Sequence, residues 1–274
     1  MFFIYLLFSN VLLGQITGVC INEKREAIPY VNISVKGEGI GTVSDENGEF
    51  KLEYIKTLKS DTLRFSHLGY NSLDLDINQI KNTIILKENN ELLEEVVIAG
   101  NTKFKTKEVG TINKRELITL YSFSKGLGNE IGKLIKVKKN REYELLECKI
   151  KIEKLDFKNT SLRLNFYRVI SNNQIEKYPY NNENILVKVN KEGVVSIPLK
   201  KYNLLLDFDF LVSIEWIDYE LKEGKNEKNL IEYASNVYNG PFFFRQNKNV
   251  KWEKRKLKHN IGLGISLNVN SYKK

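Results

Sequence analysis

A two-residue hydrophobic alternation, cut at short intervals by turn residues, constrains this chain more than any other feature. Near the C-terminus Ile261, Leu263, Ile265, Leu267 and Val269 interleave with Gly262, Gly264, Ser266 and Asn268. Successive side chains of an extended chain point to opposite faces, so this spacing predicts a strand with one buried face. Leu162, Leu164 and Phe166 repeat the pattern, as do Ile185, Val187 and Val189, then Val195, Ile197 and Leu199. Phe210, Val212, Ile214 and Trp216 form a further set. Leu146, Cys148, Ile150 and Ile152 are expected on one face of another strand, with Glu147, Lys149, Lys151 and Glu153 opposite. Val, Ile, Tyr and Phe recur in short runs that suit strands. The expected class is all-β.

The first third carries the same signal in smaller units. Ile16, Gly18 and Cys20 alternate with Thr17 and Val19, and Val31, Ile33 and Val35 follow Ile28-Pro29. Gly37, Gly39 and Gly41 predict a turn. Glu46-Asn47-Gly48 predicts a hairpin in which Asn and Gly both take positive φ. Phe50 with Leu52, the run 61–66, Leu73 with Leu75 and Ile77, and Thr83 to Leu86 complete seven short strands, the count of a small β-sandwich.

Four stretches together carry a family resemblance: Ile16-Thr17-Gly18-Val19, Ile28 to Ile33, Gly41 to Phe50 with its Asp45-Glu46-Asn47-Gly48 turn, and Leu63 to Tyr70. The segment of about 16–98 resembles the carboxypeptidase-like regulatory domain. The resemblance implies a transthyretin-like β-sandwich and no peptidase activity. Leu92 to Ile98 is similar to the stretch that closes this domain in outer-membrane TonB-dependent receptors. The remaining chain is too short for a plug and a barrel of about 22 strands at about 10 residues each. The resemblance therefore implies the same envelope setting without the transporter.

The 274 residues suffice for two ordinary domains. Residues 1–14 read as an export signal: Phe2 to Phe8 is almost continuously apolar, Val11, Leu12 and Leu13 follow, and Gly14 precedes an expected mature start at Gln15. Residues 15–98 form the first domain. Residues 99–127 read as a polar, glycine-broken linker with a short helix near Glu116 to Tyr121. Residues 128–274 are expected to form a larger antiparallel, jelly-roll-like β-sandwich, with no transmembrane helix in the mature chain. The expected location is the periplasm, the outer membrane or the cell surface. The formal net charge of +9 is dispersed over alternating strands, which suits a solvated surface. Export excludes nucleic acid as a partner.

Few residues offer chemistry. The two histidines, His67 and His259, stand in no zinc-ligand spacing, and Cys20 and Cys148 read as buried thiols. Neither metal nor cofactor is expected. Asp207, Asp209, Glu215 and Asp218 cluster in sequence and read as structural. Phe242-Phe243-Phe244-Arg245 and Trp252 stand out, because three consecutive aromatics cannot share one face of a strand. Phe243, Arg245 and Trp252 are the candidate binding residues, suited to stacking on a sugar ring or a protein partner. The leading functional expectation is an exported, non-enzymatic binding or structural module of the cell envelope, its partner an envelope protein or a polysaccharide. A carbohydrate-binding protein using aromatics of the second sandwich is the alternative, and a hydrolase with an unrecognised site comes third.

Overall fold

A computed structural model describes residues 13–55, 62–89, 103–112, 120–123, 126–170, 174–224, 230–236, 240–256 and 261–274. The chain is all-β. Its first domain has the seven expected strands: β1 (Leu13–Ile21), β2 (Asn32–Val35), β3 (Gly41–Val43), β4 (Glu49–Ile55), β5 (Thr62–Ser66), β6 (Leu73–Asp76) and β7 (Thr83–Ile85). They make two sheets of order β4-β1-β7 and β3-β2-β5-β6. Cys20, Val31, Ile33, Phe50, Leu63 and Phe65 fill the space between them. All pairings are antiparallel except β1 with β7, which is parallel.

The hairpin from β3 to β4 differs from the expected form in one respect. Gly48 takes φ 77°, while Asn47 stays out of the left-handed region. The Asp45 carboxylate accepts from Asn47 N at 2.8 Å and Glu49 N at 2.9 Å, so a side-chain turn replaces the second positive φ. A Cβ on Gly48 would stand 2.5 Å from the Cys20 carbonyl oxygen, which excludes any other residue there. β1 begins two residues before the expected mature start, with Leu13 and Gly14 opposite Ile55 and Tyr54. Residues 1–12 lie outside the described residues, as do Leu92 to Ile98 and His259.

The second domain contains β8 (Phe104–Thr111), β9 (Leu120–Phe123), β10 (Glu130–Ile135), β11 (Arg141–Leu155), β12 (Phe157–Arg168), β13 (Ile185–Val189), β14 (Gly193–Pro198), β15 (Leu205–Leu206), β16 (Phe210–Leu221), β17 (Leu230–Tyr233), β18 (Ser235–Asn236), β19 (Phe242–Arg245), β20 (Glu253–Arg255), β21 (Gly262–Leu263) and β22 (Ile265–Lys273). One sheet has the order β13-β12-β16-β10-β19-β20. The other follows β8-β22-β11-β17-β9, with β14 and β15 also on β11. The apolar sets of the alternating strands, among them Leu164, Phe166, Val212, Trp216, Ile265 and Leu267, meet in one core between these sheets. This is the expected larger antiparallel sandwich.

Two expectations are corrected. The segment 99–127 is not simply a linker: β8 pairs with β22 over eight positions, from Phe104↔Tyr272 to Thr111↔Ile265, and β9 pairs with β17. The part of the expected helix that is described, Leu120 and Tyr121, is strand. The polar composition that suggested a linker is that of an edge strand, on which exposed Lys105 discourages further pairing while Lys107 donates to the Tyr143 hydroxyl at 2.8 Å. On β11, Leu145 rather than Leu146 is buried, because a register shift between Leu145 and Glu147 inserts one extra residue and reverses the phase. Replacing residues 103–112 by a Gly-Ser linker of equal length should therefore lower the melting temperature of the full chain by about 5 °C or more. An unchanged temperature in a calorimetric scan would return the segment to the status of a tether.

Candidate functional site: the buried interdomain face and its groove

Strand alternation gives the six-stranded sheet a second face, turned away from the core. On it, in register, lie Arg163 of β12, Glu215 of β16, Glu130 of β10 and Arg245 of β19. This row of two carboxylates flanked by two guanidinium groups is buried, none of the four being more than 2% exposed. The Arg163 guanidinium donates to Glu215 at 3.3 Å. Arg245 Nε donates to Glu130 at 2.9 Å. Asn165 Nδ2 donates to both carboxylates, at 2.9 Å to Glu130 and 3.1 Å to Glu215. The Tyr167 hydroxyl donates to Glu130 at 2.9 Å and accepts from Arg245 at 2.7 Å. Lys248 adds a third cation, 3.2 Å from Glu215.

The first domain covers this face. Its β3-β2-β5-β6 sheet turns Ile33 and Leu63 into its own core, so Asn32, Ser34 and Ser66, of opposite phase, face away from it. The Arg163 guanidinium donates to the Tyr30 carbonyl at 2.6 Å. Asn247 Nδ2 donates to the Glu38 carbonyl at 3.0 Å, and Asn249 Nδ2 donates to Ser34 Oγ. A Cβ on Gly41 would stand 2.9 Å from the Ile33 carbonyl and 3.4 Å from Asn247 Cβ, so the glycine turn admits the 246–249 segment closely. Tyr30, Val43, Leu127 and Ile217 make an apolar cluster across the two domains. The rest of the contact is polar, with the side chains of Asn32, Ser66 and Ser213 and Arg163 Nε buried without a partner among the described residues.

Burial favours the neutral form of both carboxyl groups. At Glu215 the neighbouring Arg163 and Lys248 outweigh burial and hold it below the usual carboxylate range. At Glu130 burial prevails over Arg245, and the carboxyl is pushed upward. His67 lies at the same contact, its Nε2 3.1 Å from Asn184 Nδ2, an amide nitrogen that can only donate. Burial, then Arg163 and Lys248, push the imidazole down to about 3, so it is neutral at pH 7. A further buried amine escaped notice in the sequence: Lys133 faces the inter-sheet core, its Nζ 3.4 Å from the Ile265 carbonyl. Burial pushes it down to about 8.

The structure brings Phe243, Arg245 and Trp252 together, but not as an open platform. Phe242 and Phe244 turn into the inter-sheet core. Phe243, 3% exposed, packs on the other face with Tyr167, Leu211 and Trp252. The Arg245 guanidinium lies 4.3 Å from the Trp252 ring and 4.9 Å from the Tyr167 ring. Both sheet faces are covered here, which is how three consecutive aromatics are accommodated. Arg245 is spent on Glu130, so the expected recognition residues form a structural stack. Asp207 pairs with Lys274, and Asp209 accepts from Val137 N at 2.8 Å. Cys20 and Cys148 are buried free thiols.

An open groove of about 970 Å³ lies where the two domains meet. From the first domain it is bordered by residues 17–19, 39–43 and 49–53, and from the second by Leu127, Asn129, Asp218 and Tyr219 among others. Burial, then Asp45 and Glu46, push the Asp218 carboxyl upward.

The family model of the CarboxypepD_reg-like domain matches residues 16–98. The chain is similar in part to TonB-dependent receptors: 32% identical over 97 residues to SusC of Bacteroides thetaiotaomicron, and 29% identical over 127 residues to P39 of Formosa agariphila. These matches cover 35% and 42% of this chain but only 9% and 12% of the receptors. Among solved structures, the cysteine protease and lectin-like domains of Cwp84, a surface layer associated protein of Clostridium difficile, superpose over 62% of this chain and 36% of that one, at 12% identity and TM-score 0.39. BcpA, the major pilin subunit of Bacillus cereus, superposes over 92% and 69%, at 12% identity and TM-score 0.20. Likeness at these scores carries no argument. No helix among the described residues is long and apolar enough to cross a membrane.

Two predictions follow from the buried face. Arg245→Met leaves Glu130 buried without its cation and should destabilise the chain by about 3–5 kcal/mol at pH 7, whereas adding Glu130→Gln should recover part of the loss. Urea denaturation of the two variants reads this directly, and a double variant no more stable than the single one would contradict it. His67 sets a pH dependence. Its folded-state pKa lies below the unfolded value of about 6.5, so the unfolded chain takes up the proton first. The stability it contributes is complete above about 6.5 and is lost as the pH falls towards about 3. His67→Asn should flatten the urea midpoint over that window, and parallel profiles for the two proteins would refute the assignment.

Proposed function

We propose that this chain is an exported, non-enzymatic binding or structural module of the bacterial cell envelope, in the periplasm or at the outer membrane or cell surface. The observation that carries this reading is the CarboxypepD_reg-like domain at residues 16–98, shared with TonB-dependent receptors. The second sandwich supports it as a mount. The outer face of its six-stranded sheet holds the first domain through the buried bond from Arg163 to the Tyr30 carbonyl, the bonds of Asn247 and Asn249 and one apolar cluster, so the two act as one body. The carbohydrate-binding alternative is less well supported, because Phe243 and Arg245 are buried and Trp252 is half-buried. The partner is read as an envelope protein.

Cell fractionation with N-terminal sequencing tests the proposal. The tagged chain should appear in the envelope fraction, its sequence beginning near Gln15. Cleavage there would shorten β1 by two residues and leave Gln15 to Val19 paired with β4. Recovery of the chain from the cytosol with Met1 intact would defeat export. Turnover of a peptide or glycan panel by the purified protein would defeat the non-enzymatic reading.

A further inference from the structure

β3 and β4 are each the outermost strand of their sheet, and the interdomain groove runs along both. Five consecutive residues on each side, 39–43 and 49–53, border it. Consecutive residues belong to both faces of a strand, so the groove takes in the edges of these strands, and Thr17, Gly18 and Val19 of β1 with Asn82 extend it onto the adjoining sheet face. Among the described residues β4 pairs with β1 alone. The outward N–H and C=O of Glu49 are taken by Asp45, and from Lys51 onward every second N–H and C=O of β4 is directed out of the sheet, the template on which an added strand forms.

The charge of the groove is opposite to that of the chain. The molecule carries a formal +9, yet Asp45, Glu49, Glu53 and Asp218 border the groove, and Lys51 is the one cation among its described lining residues. Lys51 lies 3.6 Å from Glu53. That leaves Asp45, Glu49 and Asp218 as the acidic surplus. A second copy of this chain does not suit the edge. Antiparallel pairing of β4 with itself about Lys51 would set Glu49 against Glu53 and Lys51 against Lys51, and like charges directly opposite are destabilising.

We propose that this groove is a strand-addition site, in which an extended, lysine- or arginine-bearing segment of a partner protein pairs with the free edge of β4. Main-chain hydrogen bonds to the edge supply the pairing, and the carboxylates of Glu49 and Asp218 select the cationic side chains. The proposal rests on the reading of the chain as a binding module and names its partner class. Peptide binding and envelope localisation are separate measurements, so either can fail alone.

The test uses the full chain and a fluorescent heptapeptide alternating lysine with threonine, read by anisotropy. Two control peptides replace lysine by glutamate, or carry N-methyl groups on alternate amides of the lysine peptide. The lysine peptide should bind, less tightly as salt rises. N-methylation should weaken it about tenfold or more, because it removes the donors of the added strand, and the glutamate peptide should not bind. Glu49→Gln with Asp218→Asn should weaken the lysine peptide about tenfold, with an unchanged melting temperature. Equal binding of the lysine and N-methylated peptides would overturn strand addition, leaving mere charge attraction. Equal binding of the lysine and glutamate peptides, no binding of either, or indifference to the double substitution would overturn the site.

Discussion

The architecture depends on a row of four charges laid across four neighbouring strands. Arg163, Glu215, Glu130 and Arg245 stand in register, and the two carboxylates face each other directly. Such a pair repels unless each member has its own cation and the remaining oxygens find donors. The strand order supplies both, with an arginine on each flank and Asn165 and Tyr167 two and four residues along β12. The row is met from outside by the first domain, whose Tyr30 carbonyl accepts from Arg163. Removing any member would leave a charge stranded in the interior, so the row fixes strand register and domain placement together.

The molecule consequently stacks four sheets. Two apolar cores, one in each sandwich, enclose a middle contact that is mostly polar. A polar contact is directional, because hydrogen bonds and ion pairs tolerate little sliding. The apolar cluster of Tyr30, Val43, Leu127 and Ile217 excludes water at one end. At the other, the 246–252 segment supplies Asn247 and Asn249 to the first domain and Trp252 to the Arg245 stack. One short segment thus closes both the charged row and the domain contact.

This docking shapes the groove. Turning the first sandwich so that β2 and β5 meet the second domain leaves the seam of β3 and β4 beside Asp218 and Tyr219. Edges that would otherwise lie open to bulk water are set into a recess with acidic walls. A recess restricts approach to a slender, extended partner, and low-dielectric walls strengthen the field of the carboxylates.

The sequence by itself determined the all-β class, the seven strands of the first sandwich, the family of residues 16–98 and which residues of most strands face a core. Alternation suffices for these, since side-chain phase is a local property of an extended chain. It failed on β11, where a bulge places Leu145 inside instead of Leu146, and on 99–127, where an edge strand and a linker share one polar composition. It also made Phe243 and Arg245 look exposed. Alternation says that Arg163, Asn165, Glu215 and Arg245 lie off the core face, but water and another domain are equally acceptable covers for a polar face. Only the tertiary structure decided between them. Pairing Arg163 with Glu215 and Glu130 with Arg245 requires registers between strands far apart in the chain, and no local pattern carries that information.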